Sequence, residues 1–280
     1  MAAVRIGTTT LRYDQLGSAD PPVLLVHGTA AALWGELPLR LAARHRVLDY
    51  DRRGYGGSVG PPPASLTEHT ADAVALLDRL AVRRVVVVGW SVGGIVALDL
   101  AVRFPDRVLG LVLVEPPLHA KRHPTPRMLR GVLGGVLQGR RHPRTGADRF
   151  LRWALHDTTT RTPEDALPVG WWERSLDNGA AIVHEIGLGT GEHLGASDLR
   201  GLAVPTVVLL GDRSDPALRA AARRTARAVP GARLEAVSSS GHAMQAARPD
   251  AIVAAVESLR PVGTWSSLAR AWISRSPVTR

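Results

Sequence analysis

Ser91 stands between glycines in Gly89-Trp90-Ser91-Val92-Gly93-Gly94, directly after the run Val85–Val88. His242 lies near the other end of the chain, after Ser238-Ser239-Ser240-Gly241. A serine hydroxyl becomes a nucleophile when a base takes its proton, and the base needs a carboxylate to orient it. Serine, acid and histidine, in that chain order, are the parts of one kind of acyl-transfer site. Glycine-rich turns after strands can also hold phosphates, but the spacing argues against that here. A dinucleotide turn reads G-x-G-x-x-G, and Ser91 takes the second glycine's place. A P-loop needs Gly-Lys before Ser or Thr, and none is present. What remains is G-x-S-x-G, Gly89 to Gly93: a nucleophile elbow, with serine in a strained turn that exposes its oxygen. Glycines on either side let strand and helix pack closely around it. The N-terminus of the following helix favours negative charge developing nearby.

An oxyanion would need backbone donors. The N–H of Val92, just after the serine, is one. The other is the N–H of Thr29, which follows His27-Gly28 at the end of the early run Val23–Val26. His27, Gly28 and Trp90 are candidates to line a substrate pocket, with Trp90 equally suited to packing under the elbow.

These residues must be held by regular elements. Apolar runs at Val23–Val26, Arg46–Asp51, Val85–Val88, Leu109–Val114, Pro205–Gly211 and Ala232–Val237 read as strands. Helical patterns at Leu66–Leu80, Gly93–Arg103, Pro216–Ala228 and Pro249–Leu259 alternate with them, and Ser65 or Thr67 is placed to cap the first. Near-continuous apolar strands alternating with helices predict an α/β fold, with a mostly parallel central sheet flanked by helices. The rhythm breaks between 118 and 199, where Pro, Gly, His, Arg and Trp153, Trp171 and Trp172 cluster. That stretch reads as an inserted, mainly helical cap over the carboxyl ends of the strands, where such sheets bind ligands. Trp171 and Trp172 line the pocket or fill the cap's core. The predicted organisation is therefore a core from 1–117 and 200–260, a cap from 118–199, and a tail from 261–280. In the tail, Trp265, Leu268, Trp272 and Ile273 would form an apolar helical face that docks back, unless the segment has no fixed structure.

The assembled motifs resemble the α/β-hydrolase superfamily, in its serine-nucleophile, esterase/lipase-like or haloperoxidase-like branch. The resemblance rests on His27-Gly28, the Asp51–Ser58 segment DRRGYGGS, Gly89–Gly94, Gly211–Asp215 and Gly241-His242. It covers about 10–115 and 200–260 and is nearly silent on substrate. In such proteins the DRRGYGGS segment is chiefly structural, so Asp51, Arg52 and Arg53 receive no catalytic role. The family usually reads G-x-x-D after the penultimate strand; here Ser214 fills the acid's slot. Asp215, one residue late, is the favoured acid. Glu115, directly after the Leu109–Val114 strand, is the alternative, since similar haloalkane dehalogenases can carry their acid there. Asp212 is third. A serine at the elbow argues against dehalogenase and epoxide-hydrolase chemistry, both of which use aspartate. The expected activity is acyl transfer from a small-molecule ester, thioester or lactone, with perhydrolysis as a side reaction. A non-catalytic binding protein of the same fold is the alternative.

Composition bounds the rest. The 280 residues hold 45% hydrophobic and 21% charged positions, an ordinary globular mix, and no cysteine, which excludes disulfides and thiol catalysis. His119 and His123 are four apart, but no carboxylate or third histidine joins them, so no metal and no cofactor is expected. The N-terminus lacks a secretory apolar segment, and the longest uncharged stretch is too short to cross a bilayer; a cytoplasmic protein is expected, without stable membrane insertion. The formal charge is +10. Between Glu115 and Asp148 there is no acid, while Lys121, Arg122, Arg127, Arg130, Arg140, Arg141 and Arg144 fall there. This block reads as a solvated face or as an attractor of an anionic small-molecule substrate. No recognition module supports nucleic acid as a partner.

Overall fold

The computed structural model describes residues 1–259 except 32, 158, 160, 161, 163, 164 and 166. The tail 261–280, with its expected docking face, lies outside the described residues. Eight strands form one sheet: β1 (Ala2–Ile6), β2 (Thr9–Leu16), β3 (Val23–Val26), β4 (Val47–Tyr50), β5 (Val85–Trp90), β6 (Val108–Val114), β7 (Thr206–Gly211) and β8 (Arg233–Val237). Their order is β1-β2-β4-β3-β5-β6-β7-β8. β1, β2 and β4 pair antiparallel, and every pairing from β4 onward across the sheet is parallel.

The central strands are apolar on both sides because both faces are covered. Val86, Val88 and Trp90 of β5 enter one core, while Val85 and Val87 enter the other. β6 divides in the same period of two, Val112 and Val114 against Leu111 and Leu113. α1 (Leu37–Ala42) and α11 (Pro249–Ser258) cover the first face. α2 (Leu66–Arg79), α3 (Val92–Arg103) and α9 (Pro216–Ala228) cover the second. Ser65 occupies the N-cap position of α2, but its hydroxyl meets Thr67 Oγ1 at 2.7 Å instead of a backbone donor.

Between β6 and β7 the described residues form helices and no strand: α4 (Pro126–Gly139), α5 (Pro143–Ala154), α6 (Trp171–Leu176), α7 (Gly179–Gly187) and α8 (Ala196–Arg200). The glycines of α4 let it lie directly on its neighbours. A Cβ on Gly131 would come within 2.5 Å of Trp153, and one on Gly139 within 2.4 Å of Val183. The short α10 (Met244–Ala247) follows His242. No described helix is long and apolar enough to cross a membrane.

Candidate active site

Ser91 joins β5 to α3 as its N-cap with φ 54° and ψ −124°, a conformation that non-glycine residues seldom adopt. The surroundings over-determine it. A Cβ on Gly93 would lie 2.0 Å from Val26 O, one on Gly89 2.5 Å from Gly93 O, and one on Gly28 2.8 Å from Ser91 Cβ. Strand, loop and helix therefore converge on the serine at backbone distance. Val92 is the first residue of α3, so its N–H has no carbonyl one turn earlier to meet. Ser91, Val92, Thr29 and His242 all line one cavity.

His242 is buried, and its ring is fixed from two sides. Nδ1 donates to Glu115 Oε2 at 2.6 Å, which leaves Nε2 as the basic nitrogen. Trp90 packs its ring 5.8 Å from the imidazole and donates Nε1–H to His242 O at 2.8 Å. Glu115 is fully buried in a second positive-φ turn, φ 45°, at the end of β6. Its carboxylate also accepts from Gly211 N at 2.8 Å and Ser214 Oγ at 2.9 Å. Ser214, which fills the slot expected of an acid, thus holds the Glu115 carboxylate that follows the neighbouring strand.

The favoured pairing of His242 with Asp215 is corrected. Asp215 is the N-cap of α9, where its side chain accepts from Ala217 N at 2.9 Å, and Arg127 Nε lies 4.0 Å away. Asp212 points elsewhere as well, accepting from Ser240 N at 3.2 Å. The expected pocket also changes. Trp90, Trp171 and Trp172 are buried in the core on the first face of the sheet and do not line the cavity. Beyond Ser91 and His242, the cavity is walled mainly by Met128, Val132, Phe150, Trp153, Ile186 and Leu218. His119 links two segments rather than facing a ligand: Nε2 lies 2.9 Å from Leu194 O and 3.1 Å from Gly191 O.

His27 is buried beneath the Thr29 loop. Its Nε2 accepts from Arg52 N at 2.9 Å, so Nδ1 carries the proton toward Gly28 O, 2.7 Å away. Burial, followed by the Arg52 charge, pushes this imidazole well below its ordinary range. Arg52 donates to Gly28 O at 3.1 Å and grips Glu185 of α7 with both terminal nitrogens, one of them 2.9 Å from Oε1. Thr29 Oγ1 donates to the same Glu185 oxygen at 2.6 Å, and His69 Nε2 stands 3.3 Å from the other. Burial raises the Glu185 carboxyl, but Arg52 and His69 more than reverse this and hold it well below the usual carboxylate range. Glu185 also reaches the cavity wall. Neither Arg52 nor Glu185 stands out as a site residue in the sequence. Arg53 has the structural role expected of its segment, bridging Asp72 and Glu68.

A model of the alpha/beta hydrolase family matches residues 23–255. The chain belongs to that family. Among curated relatives, a Variovorax paradoxus protein named for carbamate hydrolysis is 38% identical over 122 residues, covering 40% of this chain and 46% of that protein. The 3-oxoadipate enol-lactonase 2 of Acinetobacter baylyi is 34% identical over 101 residues, covering 35% and 38%. The chain spans less than half the length of these relatives. The enol-lactonase of Burkholderia xenovorans superposes with a TM-score of 0.73 at 23% identity, covering 92% of this chain and 99% of that one. At that identity the likeness establishes the fold.

Proposed function

We propose that this alpha/beta hydrolase is a serine hydrolase that breaks carboxylic esters or lactones by acyl transfer. The observation that carries the reading is one cavity lined by both Ser91 in its strained turn and His242, with the buried Glu115 carboxylate behind the imidazole. His242 Nε2 takes the Ser91 proton as Oγ attacks the carbonyl carbon. Glu115 stabilises the imidazolium so formed. The N–H groups of Thr29 and Val92 receive the developing oxyanion. The tetrahedral intermediate collapses as His242 returns the proton to the leaving oxygen. A water, deprotonated by the same histidine, then releases the acid and restores Ser91. The relatives named for lactone and carbamate hydrolysis support an acyl substrate. In this reading residues 118–199 act as a cap that roofs the cavity.

The test is active-site labelling with a fluorophosphonate alongside hydrolysis of p-nitrophenyl acetate. Labelling and turnover in the wild type, both lost in Ser91→Ala, are expected. Turnover that survives in Ser91→Ala excludes the mechanism. A folded wild type with neither labelling nor turnover supports a binding protein instead.

A further inference from the structure

The cavity at Ser91 has only about 50 Å³ of open space. A single water needs only roughly 10–15 Å³ of such space, so this is room for a few waters or a short chain of about that size. Immediately outside lies a second hollow of about 340 Å³, between α4 and α7. The two share Lys121, Met128, Val132 and Ile186, so their boundary is one layer of side chains. The outer hollow is otherwise lined by apolar groups, including Leu129 and Leu133. These leucines stand one helical turn apart and are 43% and 55% exposed. Single exposed leucines are ordinary, but a row of them along a groove that continues a reactive cavity is not.

We propose that this groove binds a linear alkyl chain of the substrate. The enzyme would then act on esters or lactones whose chain outgrows the cavity, passes Met128, Val132 and Ile186, and lies along Leu129 and Leu133. This rests on the acyl-transfer reading of Ser91. The chain belongs either to the acyl group or to the alcohol; its chemistry in the groove is the same. Each methylene that leaves water adds roughly fourfold to binding.

Two ester series separate the two sources: p-nitrophenyl acetate, hexanoate and decanoate, and ethyl, hexyl and decyl acetate. Calorimetric titration of Ser91→Ala with decan-1-ol reads the groove without turnover. In one series the longest ester should exceed the shortest in kcat/KM at least about tenfold, mainly through KM. Leu129→Gln/Leu133→Gln should cut that ratio by about fivefold or more and weaken decan-1-ol binding. Leu39→Gln, at an exposed leucine on α1 outside both hollows, should leave the ratio as it is. Turnover of short esters with no dependence on length in either series overturns the groove and leaves the hydrolase reading standing. So does a ratio equal in wild type and the double variant. Decan-1-ol binding that the double variant weakens, with no ester turned over, establishes the groove and removes the hydrolase reading.

Discussion

Glu115 and His242, 127 positions apart in the chain, meet as a buried pair with Oε2 2.6 Å from Nδ1. The sheet makes this meeting. Trp90 at the end of β5 is in register with Val114 at the end of β6, and Ser91 N donates to Val114 O at 2.9 Å. Ser91 and Glu115 are therefore the next residues out from two adjacent strands, each turned into positive φ. The histidine comes to them from the loop beyond β8.

The first prediction separates Glu115 from Asp215. Glu115→Gln keeps the shape but removes the charge that stabilises imidazolium in the proposed mechanism, and should lower kcat by about 10³- to 10⁴-fold. Asp215→Ala should leave kcat within about threefold and lower stability by about 1 kcal/mol, the usual loss of a helix cap. Turnover of p-nitrophenyl acetate and urea unfolding of both variants measure this. A larger kcat loss in Asp215→Ala than in Glu115→Gln would return the acid to the loop after β7.

The central sheet is legible in the sequence because its strands are apolar on both faces, which few other elements require. β1 and β2 are not, since the edge strand Ala2–Ile6 mixes exposed and half-buried positions and Thr9–Leu16 beside it is buried mainly at its start. Which carboxylate meets His242 is ambiguous in the sequence because proximity depends on strand order, which no local pattern carries. One local signal did exist: Asp215 precedes Pro216, the pairing of an N-cap with a proline at the first helical turn. Glu185 was also visible in principle as the only acid in the apolar stretch GAAIVHEIG, but its partner Arg52 lies 133 positions away. Trp171 and Trp172 suit a pocket wall and a core equally well by type, and only their place in the fold separates the two, since Trp153 is equally buried and does line the cavity.

The second prediction concerns close approach at the elbow. Gly93→Ala places a Cβ 2.0 Å from Val26 O and 2.6 Å from His27 O, both rigid backbone atoms of the strand and loop beneath Ser91. Several kcal/mol of stability should be lost, enough to leave little folded protein. Gly187→Ala, on α7 with nothing within 4 Å of the new Cβ, should instead gain about 0.5–1 kcal/mol. Thermal melting of the two variants side by side is the measurement. Equal behaviour would mean that the elbow relaxes to admit a methyl group.

The third prediction addresses the buried Arg52–Glu185 pair. Glu185→Gln leaves an uncompensated guanidinium in the interior and should cost about 3–5 kcal/mol, whereas Arg52→Met/Glu185→Met should recover most of that loss. The folded carboxyl lies well below its ordinary 4.5, so its contribution is complete at neutral pH and is lost as pH falls from about 4.5 downward. The stability gap between wild type and Glu185→Gln should therefore narrow on acidification. Urea unfolding at pH 7, 5 and 4 follows it. A double variant as unstable as the single one would show that the loss comes from packing and not from charge.

The last prediction turns on Asp49 of β4. Burial, then the charges of Asp51 and Asp14, push its carboxyl from 3.8 up to about 8. Its Oδ1 is buried with no hydrogen-bond partner among the described residues. A raised folded value means that the folded state holds the proton more tightly than the unfolded chain. Wild-type stability should then decline as pH climbs from about 3.8 and level off above about 8, at up to about 1.4 kcal/mol per pH unit. Asp49→Asn has no proton to lose at this position. Its advantage over wild type should grow between pH 5 and pH 8 and stay constant from pH 8 to pH 9. Urea midpoints at those pH values provide the test, and an advantage already constant at pH 5 would mean that Asp49 is ionised in the folded protein throughout.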